Sequence, residues 1–244
     1  MLHAFPLDGS QWDHQVAVLG DRWRCLRPDA FGCGASPAPP PGLTLDAVAA
    51  AVLDGLDARG IGEVAVVGLS MGGYTAMAML RLAPHRVGAL VLADTRSAAD
   101  PEPARADRLA MAARVRADGV EPIVEPMLLK LLSPRGREEA HVADPVRGRI
   151  RRCTPEGVAS CQEAMAARPD SSALVAAIRV PTLVVCGDQD PVTPVEEMRA
   201  MAATIPGSRF EVMPGVGHLS NLEQPAEFGA LLSDFLAEAY PPGG

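Results

Sequence analysis

The 244-residue chain carries 22 basic and 30 acidic residues, a formal net charge of -8, and 48% apolar residues. That apolar content is ample for a buried core and excludes a disordered chain; the length fits one larger domain, or one domain with an insertion. The acidic balance excludes nucleic acid as a partner, since a phosphate backbone needs a basic face, and with Lys130 as the only lysine no GxxxxGK[ST] phosphate loop can be written.

The five cysteines (Cys25, Cys33, Cys153, Cys161, Cys186) are odd in number and show no CxxC spacing. This argues against zinc and against a disulfide framework; each reads as a small apolar filler, suiting a reducing cytoplasm. No basic stretch followed by an apolar one marks a signal peptide, and no apolar run approaches the ~20 residues of a membrane helix. A soluble, cytoplasmic protein with no membrane partner is expected.

In chain order, residues 36–42 are proline-rich and must form a loop. A buried strand is predicted over 63–68, a helix over 71–83 ended before Pro84, and a second strand over 87–93. Residues 97–178 contain no convincing strand. Helical patterns run over 104–117, 120–132, 138–152 and 155–167, so this block reads as an insertion capping the sheet. Strands follow at 181–186 and 209–213, then an amphipathic helix over 222–239 and a frayed Pro-Pro-Gly-Gly tail. Strands alternating with helices predict an α/β protein with a parallel sheet, its core formed by 1–96 and 179–244 and its cap by 97–178. Gly60-Ile61-Gly62-Glu63-Val64-Ala65 imitates a dinucleotide motif but precedes its strand instead of following it, so no cofactor is read from it.

Gly68-Leu69-Ser70-Met71-Gly72 is G-x-S-x-G set between a strand and a helix. Such a serine sits on a sharp, strained turn, and a side chain at either glycine would collide with neighbouring backbone. The run Val66-Val67-Gly68-Leu69-Ser70-Met71-Gly72-Gly73-Tyr74 resembles the nucleophile elbow of the α/β-hydrolase superfamily. It is most similar to the small carboxylesterase, enol-lactonase and cofactor-free haloperoxidase group, and the likeness extends over nearly the whole chain. The resemblance implies an α/β-hydrolase fold with helices on both faces of the sheet. In that superfamily dehalogenases and epoxide hydrolases carry aspartate where this chain has Ser70, which sets those chemistries aside.

A serine hydroxyl needs an imidazole to take its proton. Of five histidines, only His218 lies after the last strand and before the terminal helix, where the superfamily keeps its base. His14, His85 and His141 read as surface residues. The carboxylate that orients the imidazole should follow a strand between serine and histidine. The resemblance puts it on Asp190 of Gly187-Asp188-Gln189-Asp190-Pro191, with Asp188 a turn residue and Asp94 the alternative. Two backbone N–H groups should hold the oxyanion: that of Met71 and, by resemblance, that of Phe5 in His3-Ala4-Phe5-Pro6, where Ala4 replaces the usual glycine. His3 is expected to brace this loop and Trp12 to pack beneath it; the loop Asp29-x-x-Gly32-x-Gly34-x-Ser36 shapes the site without chemistry of its own.

The expected activity is hydrolysis of a small to medium carboxylic ester or lactone through an acyl-enzyme on Ser70, with no metal and no cofactor. Perhydrolysis on the same triad, told apart by its rate with acetate and peroxide, is the same-fold alternative. A ligand-binding protein without turnover, told apart by an unreactive Ser70, is the other. Arg147, Arg149, Arg151 and Arg152 read as a solvated face, and Met111, Met127 and Met165 as packing residues. The superfamily's earliest strands are missing: residues 1–3 are too few for a strand of ~5 residues. A natural start roughly 15–25 residues upstream is expected, with the shorter form melting early or hydrolysing esters weakly.

Overall fold

Three apolar runs and a fourth, more polar one make the sheet in a computed structural model that describes residues 1–241; the end of the predicted frayed tail, 242–244, lies outside the described residues. Strands β1 (Val64–Leu69), β2 (Val87–Ala93), β3 (Thr182–Gly187) and β4 (Arg209–Met213) pair in parallel in that order. The register sets Gly68 beside Leu92, Leu92 beside Val184, and Val184 beside Phe210. Both inner strands are buried almost throughout, as continuous apolar runs covered on both faces must be. Because all four run one way, the residues that follow them (Ser70, Asp94, Asp190 and His218) emerge along the same edge, where open parallel sheets place their ligands.

Helices α1 (Asp13–Leu19) and α2 (Leu45–Asp57) precede the sheet and have no counterpart among the predicted elements. The signal for α2 is present in the sequence: Leu45, Val48, Ala49, Leu53 and Leu56 bury one face, and Thr44 caps the start by accepting the Ala47 N–H. Helix α3 (Met71–Leu82) joins β1 to β2. Between β2 and β3 lie only helices: α4 (Glu102–Asp118), α5 (Val124–Leu131), α6 (Pro134–Glu138), α7 (Ala140–Arg152), α8 (Pro155–Ala166) and α9 (Ser172–Ala176). After α10 (Val195–Thr204) and β4, the single predicted terminal helix is two: α11 (Ser220–Glu223) and α12 (Pro225–Ala239). Pro225 explains the break, since proline lacks an N–H and drives the preceding Gln224 out of the helical region, to φ -129° and ψ 70°.

The cysteine expectation needs correction. Cys33 and Cys153 form a disulfide across 120 residues of sequence, with Cα atoms 4.1 Å apart, while Cys25, Cys161 and Cys186 are free. Local spacing could not show a pair that only the folded chain brings together. With it goes the cysteine ground for a reducing compartment. The bridge ties the loop before residue 36 to the end of α7, beside the Thr154 N–H, which donates to Gly32 O at 2.7 Å. Closing a loop of that length constrains the unfolded chain by about 4–5 kcal/mol. Cys33→Ser should therefore lower the melting temperature by roughly 10 °C or more, read by calorimetry; an unchanged value would contradict a bridge that stabilises the fold.

At its outer edge β1 is paired only near its end. Leu2 makes an isolated parallel bridge with Gly68, its N–H donating to Val67 O at 2.7 Å and its carbonyl accepting from Leu69 N–H at 3.2 Å. A groove of about 880 Å³ follows the rest of this edge, lined by Leu26, Val52, Leu56, Val64 and Val66 and touching none of Ser70, Asp190 or His218. No helix of the described residues is long and apolar enough to cross a membrane.

Candidate active site

Ser70 stands between β1 and α3 with φ 55° and ψ -113°, a left-handed conformation rare for any residue but glycine. The turn is held from both sides: Ser70 N–H donates to Ala93 O (2.9 Å), and Thr95 Oγ1 donates to Ser70 O (2.8 Å). Both motif glycines are required by contact. A Cβ on Gly68 would run into the backbone of Gly72, and one on Gly72 into the carbonyl of Leu2. Met71 opens α3, so its N–H lies among the first four that no helix can satisfy internally.

His218 Nδ1 lies 2.7 Å from Asp190 Oδ2, the histidine 1% exposed and the aspartate 6%. The carboxylate is fixed independently by the Val192 N–H at 2.7 Å and by the Thr193 hydroxyl. Burial disfavours charge on either partner, but their mutual attraction outweighs it. Asp190 is held below the usual carboxylate range, and His218 above the usual histidine value. An imidazole that donates through Nδ1 leaves Nε2 free to accept a proton. The ring bonds to no other side chain among the described residues, and no hydrogen bond joins it to Ser70.

Asp94, fully buried and with φ 44°, makes no hydrogen bond to the imidazole: it accepts the Gly187 N–H at 2.8 Å and the Ser220 hydroxyl. Burial, reinforced by the negative charge of Asp190, pushes its carboxyl well above the usual range. Asp188 sits in the turn after β3 and accepts the Gly215 N–H at 2.7 Å, tying that turn to the loop before His218. His14, His85 and His141 are exposed.

Phe5 lies in a buried loop fixed by residues on both sides. His3 Nε2 accepts the Ala30 N–H at 2.8 Å, so its proton sits on Nδ1, 2.9 Å from Ala4 O; burial keeps the ring neutral by lowering its pKa. Ala4, fully buried, is absent from the positive-φ residues, so the methyl that replaces glycine's hydrogen brings no strain. Trp12 is fully buried against Phe228, ring centroids 6.0 Å apart. Asp29 accepts the N–H groups of Gly9 (2.6 Å) and Ala35 (2.8 Å), and Gly34 at φ 53° has no room for a Cβ beside it.

A chain of buried amides that no sequence motif announces links these loops. The Ala4 N–H donates to Gln11 Oε1 at 2.8 Å, Gln11 Nε2 donates to Asn221 Oδ1 at 3.2 Å, and Asn221 Nδ2 donates to Gln15 Oε1 at 3.2 Å. Uncharged amides belong to no motif, and the only signal they leave is a polar residue at a buried helical position. The basic run of α7 is occupied by partners: Arg147 by Glu125 and Asp144, Arg151 by Glu121, Arg152 by Asp8, and Arg149 by Ser10. Met165 and Met127 are packed in the core, with Met111 against it. Among the described residues no group of three or more His, Cys, Asp or Glu is placed to hold a metal ion.

The fold and the serine elbow define the class, and comparison with known proteins agrees: the chain belongs to the alpha/beta hydrolase family, whose profile matches residues 1–231. Among its relatives, 3-oxoadipate enol-lactonase 2 of Acinetobacter baylyi is 32% identical over 90% of this chain and 80% of its own. Among solved structures, a thermophilic esterase of Thermogutta terrifontis superposes with a TM-score of 0.95 at 38% identity, covering 98% of this chain and 89% of that one. The enol-lactonase of Burkholderia xenovorans does so with a TM-score of 0.87 at 28% identity, over 97% and 90%.

Proposed function

We propose that this protein is a serine hydrolase that cleaves a small to medium carboxylic ester or lactone, with Ser70 as nucleophile, His218 as base and Asp190 as the group orienting it. The observation that carries this reading is the buried 2.7 Å His218–Asp190 hydrogen bond on the sheet edge from which Ser70 also emerges. The relatives named as an enol-lactonase and an esterase support ester or lactone carbonyls as the target. Residues 97–178 act as the cap over the core formed by 1–96 and 179–244.

In this mechanism Ser70 Oγ attacks the carbonyl carbon while His218 Nε2 takes its proton, and Asp190 stabilises the imidazolium that forms. The N–H groups of Phe5 and Met71 receive the developing oxyanion; one such donor is worth about 3–4 kcal/mol of transition-state stabilisation. The imidazolium then protonates the departing alkoxide, which in a lactone stays tethered to the acyl group. Water, deprotonated by the same Nε2, attacks the acyl-enzyme, and the imidazolium returns that proton to Ser70 Oγ as the acid is released. A panel of p-nitrophenyl esters of increasing chain length, with an enol-lactone beside it, tests the reading. Turnover of at least one member, falling as acyl length outgrows the cap, is expected. No turnover of any of them would contradict it.

A further inference from the structure

The loop carrying His218 is held by the helical block as well as by the sheet. On one side of the histidine, Gly217 N–H donates to Glu223 Oε1 at 2.8 Å. The same oxygen accepts the N–H of Ser133 at 3.1 Å, and Oε2 receives the Ser133 hydroxyl. Ser133 is fully buried at the start of α6, and its Oγ also accepts the Gly136 N–H at 3.0 Å. On the other side, Leu219 N–H donates to Leu131 O, at the end of α5, at 3.0 Å. The fit leaves no slack: a Cβ on Gly217 would meet Ser133 N at 2.6 Å, and one on Gly136 would collide with the Glu223 carboxylate.

We infer that Glu223 is a positioning residue, which transmits the placement of the α5–α6 turn to His218. The inference rests on the serine mechanism proposed above. The role is one of geometry: Glu223 bonds the backbone N–H beside His218 and makes no hydrogen bond to the imidazole. Without Glu223 the buried Gly217 N–H and Ser133 lose their shared acceptor, and the loop is free to shift relative to Ser70. Misplacing a reacting group by an ångström slows the chemical step by about 10²-fold with little change in substrate affinity.

The test measures kcat and KM on a p-nitrophenyl ester for wild type, Glu223→Ala, Glu223→Gln, Ser133→Ala and the Glu223→Ala/Ser133→Ala double variant. For Glu223→Ala, kcat should fall about 10²-fold at nearly constant KM. Glu223→Gln keeps an oxygen for Gly217 and an N–H for the Ser133 hydroxyl, so it should recover most of the loss. Ser133→Ala should lose less, and the double variant no more than Glu223→Ala alone, because the residues act as a unit. A folded Glu223→Ala with wild-type kcat, or a Gln variant as impaired as Ala, would overturn the inference. Should Glu223→Ala fail to fold, an unchanged kcat in Ser133→Ala overturns it instead. Ser70→Ala separates the two levels: activity surviving in that variant defeats the serine mechanism, whereas a silent Ser70→Ala leaves the Glu223 result to judge this inference alone.

Discussion

Ser70→Ala should lower ester turnover on the order of 10⁶-fold while leaving the far-UV circular dichroism unchanged. The magnitude follows from what the hydroxyl does. It supplies the only covalent step available in the mechanism, and without it water must attack the ester directly, helped only by binding and the oxyanion donors. The fold should survive because the turn is held by backbone contacts. Ser70 N–H and O are bonded to Ala93 and Thr95, and the two glycines make the space. The φ of 55° is no worse for alanine than for serine. His218→Ala should be comparably silent, since an unassisted hydroxyl is a poor nucleophile. A variant of either kind retaining a tenth of wild-type turnover would remove that residue from the mechanism.

Asp190→Asn should cut kcat on the order of 10⁴-fold, because an amide facing Nδ1 favours the imidazole tautomer that cannot accept the serine proton at Nε2. It should also move the pH profile to lower pH. Burial works against the charged imidazole, and Asp190 outweighs it, holding His218 above the usual histidine value. The base must be neutral, so the acid limb of kcat/KM in the wild type lies above that value, with activity rising as pH passes through it. Removing the Asp190 charge leaves burial in command and shifts the limb to lower pH, beneath a much reduced plateau. Asp94→Asn is the matched control. Asp94 bonds to Gly187 and Ser220 and not to the imidazole, and its carboxyl already favours the neutral form, so its loss should be far smaller. The reverse order of the two effects would exchange their roles.

The sheet and the elements around the elbow were legible in the sequence because their signals are local. The β2 and β4 runs are bounded by turn residues, and the G-x-S-x-G motif fixes the end of β1 and the start of α3 together. His218 and Asp190 were singled out through the resemblance, and they come within 2.7 Å of each other because parallel strands bring strand-end loops to one edge. What escaped depends on distance. Cys33 and Cys153 meet only once α7 lies over the loop before residue 36. Gln11, Gln15 and Asn221 form one network, yet more than 200 residues separate the first two from the third. Glu223 belongs to no motif and falls inside the predicted terminal helix; only the approach of Ser133, 90 residues earlier, gives it a task. Helices α2 and α10 fell short for another reason: each is a modest amphipathic run beside more prominent strands.

The proposed mechanism requires Ser70 to act as a covalent nucleophile. Mass spectrometry of the intact protein after treatment with a fluorophosphonate, followed by peptide mapping, measures this directly. One adduct per chain is expected, located on Ser70 and absent from both Ser70→Ala and His218→Ala. An unmodified protein that still turns over esters, or an adduct on any other residue, would contradict the claim.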